Sequence, residues 1–395
     1  MRDDCRSASE GFLAAAPLNG VVMTEQMGPA EAEAGGILTV DLSAIVANWR
    51  ALGARAGSAA ACAAVVKADA YGCGIEPVAG ALAKAGCRTF FVANLVEARR
   101  VRAVAADAVI YVLNGLMPGT GRAYLETDLR PVIGSWPEWD EWSALRGAAG
   151  ARGGAALHFD TGMNRLGFAP GEAAQLASRV GNDSGIALVM SHFACSEEDH
   201  PLNAVQIERF RAIRTLFPGI AGSLANSSGI FLGPDAQHDL ARPGVALYGA
   251  NPTPGKPNPM RPVVSLEGRI MRVRTVEPGA TVGYGATWTA ERPTRLAIVS
   301  IGYADGFLRA ASASDTRPGA EAIVAGRRCP LAGRVSMDLM AIDVTDVVET
   351  HVSRGGLVTL LGDGIGVDDL AARAGTIGYE VLTSLGRRYR RVYRS

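Results

Sequence analysis

Lysine is scarce in this chain of 395 residues, because only three of its 39 basic residues, Lys67, Lys84 and Lys256, are lysines. Arginine therefore supplies most of the positive charge. A guanidinium stays protonated and cannot act as a nucleophilic amine, whereas a desolvated lysine can lose its proton and form a Schiff base. Any lysine at a buried strand end is therefore a candidate for chemistry rather than for general charge.

The chain also lacks net charge and paired cysteines. Its formal charge is zero, so nothing in the composition predicts nucleic acid or a membrane surface as a partner. Its six cysteines form no C-x-x-C and show no metal-like pairing with the five histidines, so no metal site is predicted. They are typical of reduced thiols, and we expect a cytoplasmic protein whose partner is a small molecule.

Lys67 is the lysine at such a strand end. It follows the apolar run Ala61–Val66, which is typical of a parallel strand covered on both faces, and it precedes a turn flanked by Gly72 and Gly74. An unpaired ammonium is costly to bury, so a lysine is unusual at such a position. On its own, a lysine reaching to the rim of a sheet would remain the simpler interpretation.

Apolar strand candidates recur along the chain and alternate with stretches of helical character such as Leu95–Ala105. This alternation predicts an α/β fold, specifically a (β/α)8 TIM-type barrel. An open doubly wound sheet is the alternative, but no G-x-G-x-x-G follows the first strand. The eight predicted strands are Ala63–Val66, Thr89–Ala93, Val109–Leu113, Pro131–Ile133, Ala155–Phe159, Ile186–Met190, Ile220–Leu224 and Val245–Leu247.

Polar residues follow the predicted strands at their carboxyl ends, which is the catalytic face of such barrels. One such residue would be as consistent with a helix cap as with a ligand, but a set in phase indicates a site. The set comprises Lys67, Asn94, Asn114, Asp160 with Arg165, His192, Asn226 with Ser227, and Arg242.

The character of the chain changes after about residue 261, where β-rich segments separated by Gly/Pro turns predict a C-terminal mostly-β domain. We expect residues 36–260 to form the barrel, with the strand near 37–41 able to pack on the β domain, and residues 261–395 to form that domain. The Pro/Gly-rich run Asn251–Pro262 is the predicted linker. Residues 1–35 have no periodicity and are predicted to be a disordered extension.

Nine segments, in order across the chain past residue 36, resemble alanine racemase, a family of pyridoxal 5'-phosphate (PLP) enzymes built from a barrel and a β domain. They are AVVKADAYGCG (64–74), DTGMNRLGF (160–168), SHFA (191–194), ANSS (225–228), RPGVALYG (242–249), VGYGATW (282–288), IGYADGFLR (301–309), GRVSMD (333–338) and IGYEVL (377–382). The resemblance implies an isomerase that interconverts L- and D-alanine and supplies D-alanine for peptidoglycan.

The resemblance also implies how PLP is bound. Lys67 holds the cofactor as an aldimine and then serves as one acid/base, and Arg242 bonds the pyridine nitrogen, with His192 packed on the ring. Because arginine keeps its proton, the ring nitrogen should stay neutral, which favours return of the proton over transamination. The remaining cofactor-binding residues implied are Tyr71, Asn226, Ser227, Tyr379 and the backbone amides of Gly244 and Val245, most of them around the phosphate.

Racemisation needs a base on each face of a planar carbanion, and Tyr284 matches the family's second base. A free tyrosine, with a pKa of ~10, is a poor base, so cationic neighbours such as Arg165 are needed. In this family the tyrosine reaches the partner subunit's site, which implies a homodimer with shared active sites. For the substrate, the resemblance implies carboxylate binding by the Met337 amide and Arg165. It also implies a gate that includes Tyr303 and Arg309.

Two positions depart from the family pattern. His158 stands where many members carry a carbamylated lysine, and a neutral or cationic imidazole cannot imitate an anionic carbamate. Cys73 stands where the family often has histidine. The alternatives that remain open are a broader-specificity or serine racemase, a PLP-dependent decarboxylase of the same fold, and a non-catalytic PLP-carrier protein.

Overall fold

The computed structural model describes residues 26–58, 60–150, 153–181 and 184–395, and its parallel strands form a ring. Within these residues the ring has eight strand positions, formed by a seven-stranded parallel sheet and a separate parallel pair at its closure. The strands are Ala61–Cys62 with Ala64–Val65, Thr89–Val92, Val109–Val112, Arg130–Ile133, Ala155–His158, Ile186–Met190, Ala221–Ser223 and Leu240–Ala241. The predicted (β/α)8 barrel is confirmed.

The predicted eighth strand, Val245–Leu247, is wrong. Val245–Tyr248 is a 3-10 helix, and the barrel is closed instead by the two-residue strand Leu240–Ala241, which pairs with Ala61–Cys62. All four residues of this 3-10 helix are buried. A short buried apolar run has no periodicity that separates a strand from a helix, which explains the error.

Helices follow most of the barrel strands and cover the outside of the ring. Lys67–Tyr71, Leu95–Val104 and Trp136–Ala148 begin two or three residues after a barrel strand, whereas most of the others begin after longer loops. The α-helices of this part are Leu42–Ala56, Lys67–Tyr71, Ile75–Lys84, Leu95–Val104, Gly121–Glu126, Trp136–Ala148, Ala173–Ala177, Pro201–Thr215 and Pro234–Gln237.

The second part of the chain is mostly β, as predicted, and it is built on a mixed sheet. Its long strand Val264–Val276 pairs antiparallel with Gly36–Asp41, Leu357–Leu361 and Thr294–Val299. Gly36–Asp41 therefore belongs to this sheet and not to the barrel. The other strands are Gln26–Met27, Glu321–Val324, Arg327–Pro330, Met340–Asp343 and Arg390–Arg394, and the helices are Val367–Ala374 and Gly378–Thr383.

Residues 1–35 were predicted to be a disordered extension. Of these, residues 1–25 lie outside the described residues. Of the remainder, Gln26–Met27 pairs antiparallel with Arg390–Arg394, which differs from the predicted disorder. Residues 251–263, which include the predicted linker, contain no helix or strand. Among the described helices, none is both long enough and apolar enough to cross a membrane.

Candidate active site

The polar residues predicted to share one face of the barrel do follow strand ends. Lys67, Asn94, Asn114, Asp160 and His192 each stand two residues beyond the last residue of a barrel strand. Arg242 follows its strand directly, and Asn226 and Ser227 follow theirs within a few residues. Because all eight strands run parallel, these residues gather at the carboxyl face of the ring.

The backbone after Lys67 is left-handed. Ala68, Asp69, Ala70 and Tyr71 have φ values of 53°, 54°, 54° and 52°. For residues with a Cβ this conformation costs about 1–2 kcal/mol each, so the turn persists only because its surroundings hold it. It carries Lys67, which is half-buried, away from the strand.

Two carboxylates hold this turn. The Ala68 amide donates to Glu97 Oε1 at 2.7 Å, and the Ile75 amide donates to Asp69 Oδ1 at 3.1 Å. Arg100 also bonds Asp69 Oδ1, at 2.7 Å. The turn is thereby tied to the helix Leu95–Val104 of the next barrel unit.

Burial and neighbouring charge set the protonation of Lys67. Burial lowers the pKa of its ammonium, the positive charge of Arg165 lowers it further, and the Glu97 carboxylate opposes both effects. A larger share of this lysine is therefore neutral near pH 7 than of a lysine in water, as a nucleophilic amine requires.

Arg242 is a buried cation held by neutral acceptors. Its guanidinium donates to Ser223 Oγ and to the Ser191 carbonyl, and its Nη2 atom lies 3.5 Å from His192 Nδ1. No salt bridge to Arg242 occurs within the described residues. Burial lowers the pKa of Arg242 to about 9, which still leaves the side chain charged at neutral pH.

Both histidines of the site are neutral. Burial lowers the pKa of His158 to about 4, with help from the cations Arg242 and Arg165 and against the charge of Asp160. Burial and Arg242 likewise lower the pKa of His192 well below its ordinary value. His158 therefore contributes no charge of either sign near Arg165.

Arg165 follows a tight turn built on Asp160, whose Oδ1 accepts the amides of Gly162 and Met163 at 2.8 and 2.9 Å. Burial alone would raise the pKa of Asp160, but these and neighbouring amides outweigh it and lower that pKa. The Arg165 side chain is exposed, and no carboxylate pairs with it in the part of the chain that the structure describes.

A pocket of hydroxyl and amide groups lies beside the Lys67 turn. Ser227 Oγ accepts the amides of Gly244 and Ala246 at 2.9 and 3.3 Å, which leaves its own proton free to be donated. The Tyr71 ring is stacked on Tyr248 with centroids 4.6 Å apart, and burial raises the pKa of its hydroxyl. The Ser228 hydroxyl is buried and has no partner among the described residues.

Two predicted ligands have protein partners already. The Tyr379 hydroxyl donates to Glu197 Oε1 at 2.7 Å, although its ring lies only 6.1 Å from that of Tyr71. Burial and the Glu197 charge raise the pKa of Tyr379. The Asn226 side-chain oxygen accepts from Ser196 Oγ and the Gly229 amide, as a loop cap does.

The β-domain candidates gather separately from the barrel residues. Tyr284 is 71% exposed on a 3-10 turn, and Met337 and Tyr303 are 53% and 42% exposed. The cavity around Tyr284 has a volume of about 350 Å³, and its described lining residues all lie between 282 and 341. Lys67 is not among the described residues that line this cavity.

The barrel-mouth residues fit the cofactor that the sequence implies. PLP carries a phosphate dianion, an aldehyde and a pyridine nitrogen. The free Ser227 proton, the unpartnered Ser228 hydroxyl and the glycine at 244 suit the phosphate, and a partly neutral lysine suits the aldehyde. A buried arginine with no carboxylate partner among the described residues suits the pyridine nitrogen.

Sequence reasoning missed four residues at this site. Glu97 follows Asn94 by three residues, so it resembles an ordinary helix-capping residue, and Asn94 does cap the helix. Glu197 lies in the loop after a barrel strand, and its position there was the signal that could have found it. Ser191 and Ser223, which hold Arg242, are ordinary strand-end serines in the sequence.

Comparison with known proteins agrees with this geometry. The model of the alanine racemase N-terminal domain matches residues 40–252, and that of the C-terminal domain matches residues 263–393. An alanine racemase of Methylobacterium sp. (strain 4-46) is 53% identical over 361 residues, covering 91% of this chain and 98% of the relative.

Two solved structures share the fold. The alanine racemase of Bartonella henselae with covalently bound pyridoxal phosphate has a TM-score of 0.85 and 37% identity, covering 91% of this chain and 99% of that one. The biosynthetic alanine racemase of Pseudomonas aeruginosa has a TM-score of 0.84 and 38% identity, covering 92% and 100%. The chain therefore belongs to the alanine racemase family, and it is a PLP-dependent isomerase that interconverts L- and D-alanine.

Proposed function

We propose that Lys67 and Tyr284 are the two opposed bases of this racemase, and that Tyr284 comes from the second subunit of a homodimer. The observation that supports the proposal is that the cavity beside Tyr284 is lined by β-domain residues and not by Lys67. Lys67 lies at the barrel mouth, whereas the exposed Tyr284 lies over a cavity of β-domain residues. A phenol supplied by a second chain would give the site a base on each face of the substrate.

When bound, PLP acts as an electron sink that acidifies the hydrogen on the substrate's α-carbon. Lys67 is suited to attach the cofactor and to accept that proton at Nζ, since burial and Arg165 favour its neutral form. Tyr284 would exchange a proton at its phenolic oxygen on the opposite face. Arg165 and Arg242 would supply the positive field that a phenol needs in order to act as a base.

Other residues of the chain would hold and orient the two molecules. Tyr71, Ser227, Tyr379 and the amides of Gly244 and Val245 would bind the phosphate. Since Gly244 N–H already donates to Ser227 Oγ, the Ser227 proton is the better-placed donor of that pair. Tyr379 would have to turn its hydroxyl from Glu197. Asn226 would act through the loop that it caps.

Arg242 would donate to the pyridine nitrogen while His192 packs on the ring. At a pKa of about 9, the arginine keeps its proton under conditions where a pyridine nitrogen has none. The ring would therefore stay neutral, and protons would return to the α-carbon rather than being lost to transamination.

Substrate binding would combine charge and crowding. Arg165 and the Met337 amide would bind the carboxylate, and Tyr303 would limit the space for the side chain. Because one extra methylene is discriminated by only ~1–3 kcal/mol, a preference for alanine over larger amino acids should be moderate. His158 is neutral, so the charge of Arg165 is not compensated from that side and remains available to the substrate.

We further propose that residues 36–260 form the PLP-binding unit and residues 261–395 the unit that completes the partner's site. The enzyme would act in the cytoplasm and supply D-alanine for peptidoglycan. Expression of the chain should then restore growth, without added D-alanine, to a bacterial strain that lacks its own alanine racemases. Persistent dependence on D-alanine despite soluble active enzyme would contradict this cellular role.

The direct test is an assay of the purified full chain loaded with PLP. D-alanine should form from L-alanine, and borohydride should fix the cofactor to the peptide that contains Lys67. Lys67→Ala should lose both properties. A panel of L-amino acids tests the rival specificities, because comparable rates with serine would make the enzyme a broad racemase, and release of carbon dioxide would indicate a decarboxylase.

A further inference from the structure

Glu97 bridges two neighbouring units of the barrel at the point where Lys67 is attached. Its Oε1 atom accepts the Ala68 amide at 2.7 Å, and its Oε2 atom accepts the Ala93 amide at 2.9 Å. We propose that Glu97 is the positioning residue of Lys67, fixing the direction in which the amine leaves the barrel. The proposal rests on the proposed function, in which Lys67 attaches PLP and acts as a base.

The bridge matters here because the backbone after Lys67 is left-handed over four residues that all carry a Cβ. Such a turn reverts to a commoner conformation unless contacts oppose the change. The Ala68 amide is the first peptide group beyond Lys67, so its bond to Glu97 is the closest restraint on the lysine's own backbone. The restraint from Asp69 and Arg100 acts one residue later.

The other end of the bridge is rigid. Ala93 directly follows the strand Thr89–Val92, and Glu97 lies in the first turn of the helix that begins at Leu95. Both oxygens of the carboxylate are used, so the side chain cannot rotate without breaking a hydrogen bond. An amide cannot replace it fully, because glutamine has only one side-chain acceptor.

Glu97 also acts on the charge of Lys67. Among the described residues, the charged or titratable groups that interact electrostatically with the amine are Arg165, His192 and Glu97. His192 is neutral, and Arg165 opposes protonation of the amine. Glu97 is the one carboxylate among these groups, so its removal should favour the neutral amine.

The barrel offers a matched control in Glu138. Its carboxylate accepts the Gly134 amide, four residues earlier, at 2.9 Å, just as that of Glu97 accepts the amide of Ala93. It also accepts the Leu116 amide at 2.9 Å, in the loop after the preceding strand. A glutamate that joins two neighbouring barrel units therefore occurs at both positions. Of the two, only Glu97 bonds the residue that follows Lys67.

The experiment compares Glu97→Gln with Glu138→Gln in the full chain. One measurement is the rate at which PLP leaves the loaded enzyme. A second is the pH at which Lys67 of the cofactor-free chain is half-labelled by an amine-acylating reagent, with Lys84 as the internal reference. A third is kcat per loaded site. Melting temperatures report the loss of stability that both variants share.

For Glu97→Gln we expect PLP loss about tenfold faster, kcat at least tenfold lower, and a labelling midpoint of Lys67 lower by ~0.5 pH unit. Glu138→Gln should leave all three unchanged while lowering the melting temperature by a similar amount. Glu97→Asp, which keeps the charge but is too short for both bonds, should accelerate PLP loss without moving the midpoint. Glu97→Asp also tests the proposal if Glu97→Gln does not fold.

Equal PLP-loss rates and equal labelling midpoints in Glu97→Gln and Glu138→Gln would overturn the proposal, because Glu97 would then be only a structural bridge. A failure of the proposed function looks different. In that case Lys67→Ala itself would retain bound PLP and racemase activity, whatever the Glu97 variants do.

Discussion

The Tyr71 hydroxyl fills the space into which a side chain at Gly244 would extend. A Cβ built on Gly244 would lie 2.4 Å from the Tyr71 oxygen. Glycine is therefore needed at this position for the close approach of Tyr71. The Tyr71 ring cannot move away easily, because it is stacked on Tyr248.

Gly244→Ala should accordingly weaken cofactor binding rather than unfold the barrel. The added methyl group would push the Tyr71 hydroxyl out of the proposed phosphate pocket, and lost hydrogen bonds to a charged group cost about 1.5–3 kcal/mol. We expect the dissociation constant of PLP, measured by equilibrium dialysis, to rise by roughly 10–100-fold.

Gly147→Ala is the control for that change. Gly147 lies in the helix Trp136–Ala148, and a Cβ there would meet no atom within 4 Å. It should stabilise the protein slightly, since alanine is the better helix former, and should leave PLP affinity unchanged. Unchanged PLP affinity in Gly244→Ala would show that the pocket beside Tyr71 does not hold the phosphate.

Arg242 should govern the titration of both histidines at the site. Arg242→Gln removes a buried cation whose charge adds to the effect of burial on His158 and His192. The imidazole pKa values, followed by NMR in the cofactor-free chain, should rise in the variant. Racemase activity should fall by at least tenfold, because the Nη2 contact to His192 and the charge at the ring nitrogen are both lost. Unmoved histidine titrations would contradict the electrostatic account.

His158 should make the protein less stable in mild acid. Its pKa is about 4 in the folded state and near 6.5 in an unfolded chain. Between these pH values the unfolded state binds the additional proton, so the free energy of unfolding should rise with pH across this window. The contribution lost on acidification is up to about 3 kcal/mol.

The measurement is urea unfolding of the full chain at pH 4.5 and pH 7, compared with His158→Asn. The variant has no group that titrates at this position, so it should lose less stability on acidification than the parent chain. His192 contributes in the same direction and is present in both proteins. Identical acid sensitivity of the two chains would show that His158 is not held in its neutral form.

The sequence predicted the barrel because its signal was repeated. Buried strands and polar residues beyond their carboxyl ends recur at α/β spacing, so an error in one unit does not change the architecture. The error at Val245–Leu247 had a local cause, since a buried 3-10 helix and a buried strand are equally apolar. The closing strand Leu240–Ala241 is only two residues long and leaves almost no pattern.

The sequence predicted candidate residues for the site, but it did not predict their hydrogen-bond partners. Lys67 could be found because a lysine at the end of a buried strand is unusual, and Arg242 could be found through the family resemblance of the segment 242–249. The bond from Tyr379 to Glu197 and the bridge of Glu97 join residues distant in sequence, and nothing local signals such a pairing. The left-handed turn at Ala68–Tyr71 also could not be predicted, because none of its four residues is a glycine.

The proposed sharing of the site between subunits can be tested by mixing two inactive variants. Lys67→Ala keeps Tyr284, and Tyr284→Phe keeps Lys67. In a mixed dimer one site would combine the Lys67 of one chain with the Tyr284 of the other and would be intact. After dissociation and random reassociation of equal amounts, activity should recover to about a quarter of that of the unmodified enzyme.

The double variant Lys67→Ala/Tyr284→Phe, mixed equally with the unmodified chain, is the control. Shared sites leave every mixed dimer inactive, so activity should fall to about a quarter, whereas sites contained within one chain would retain about half. If the mixture of single variants stays inactive and the control retains half, Tyr284 does not act on the partner's lysine. The second base would then have to come from the same chain as Lys67.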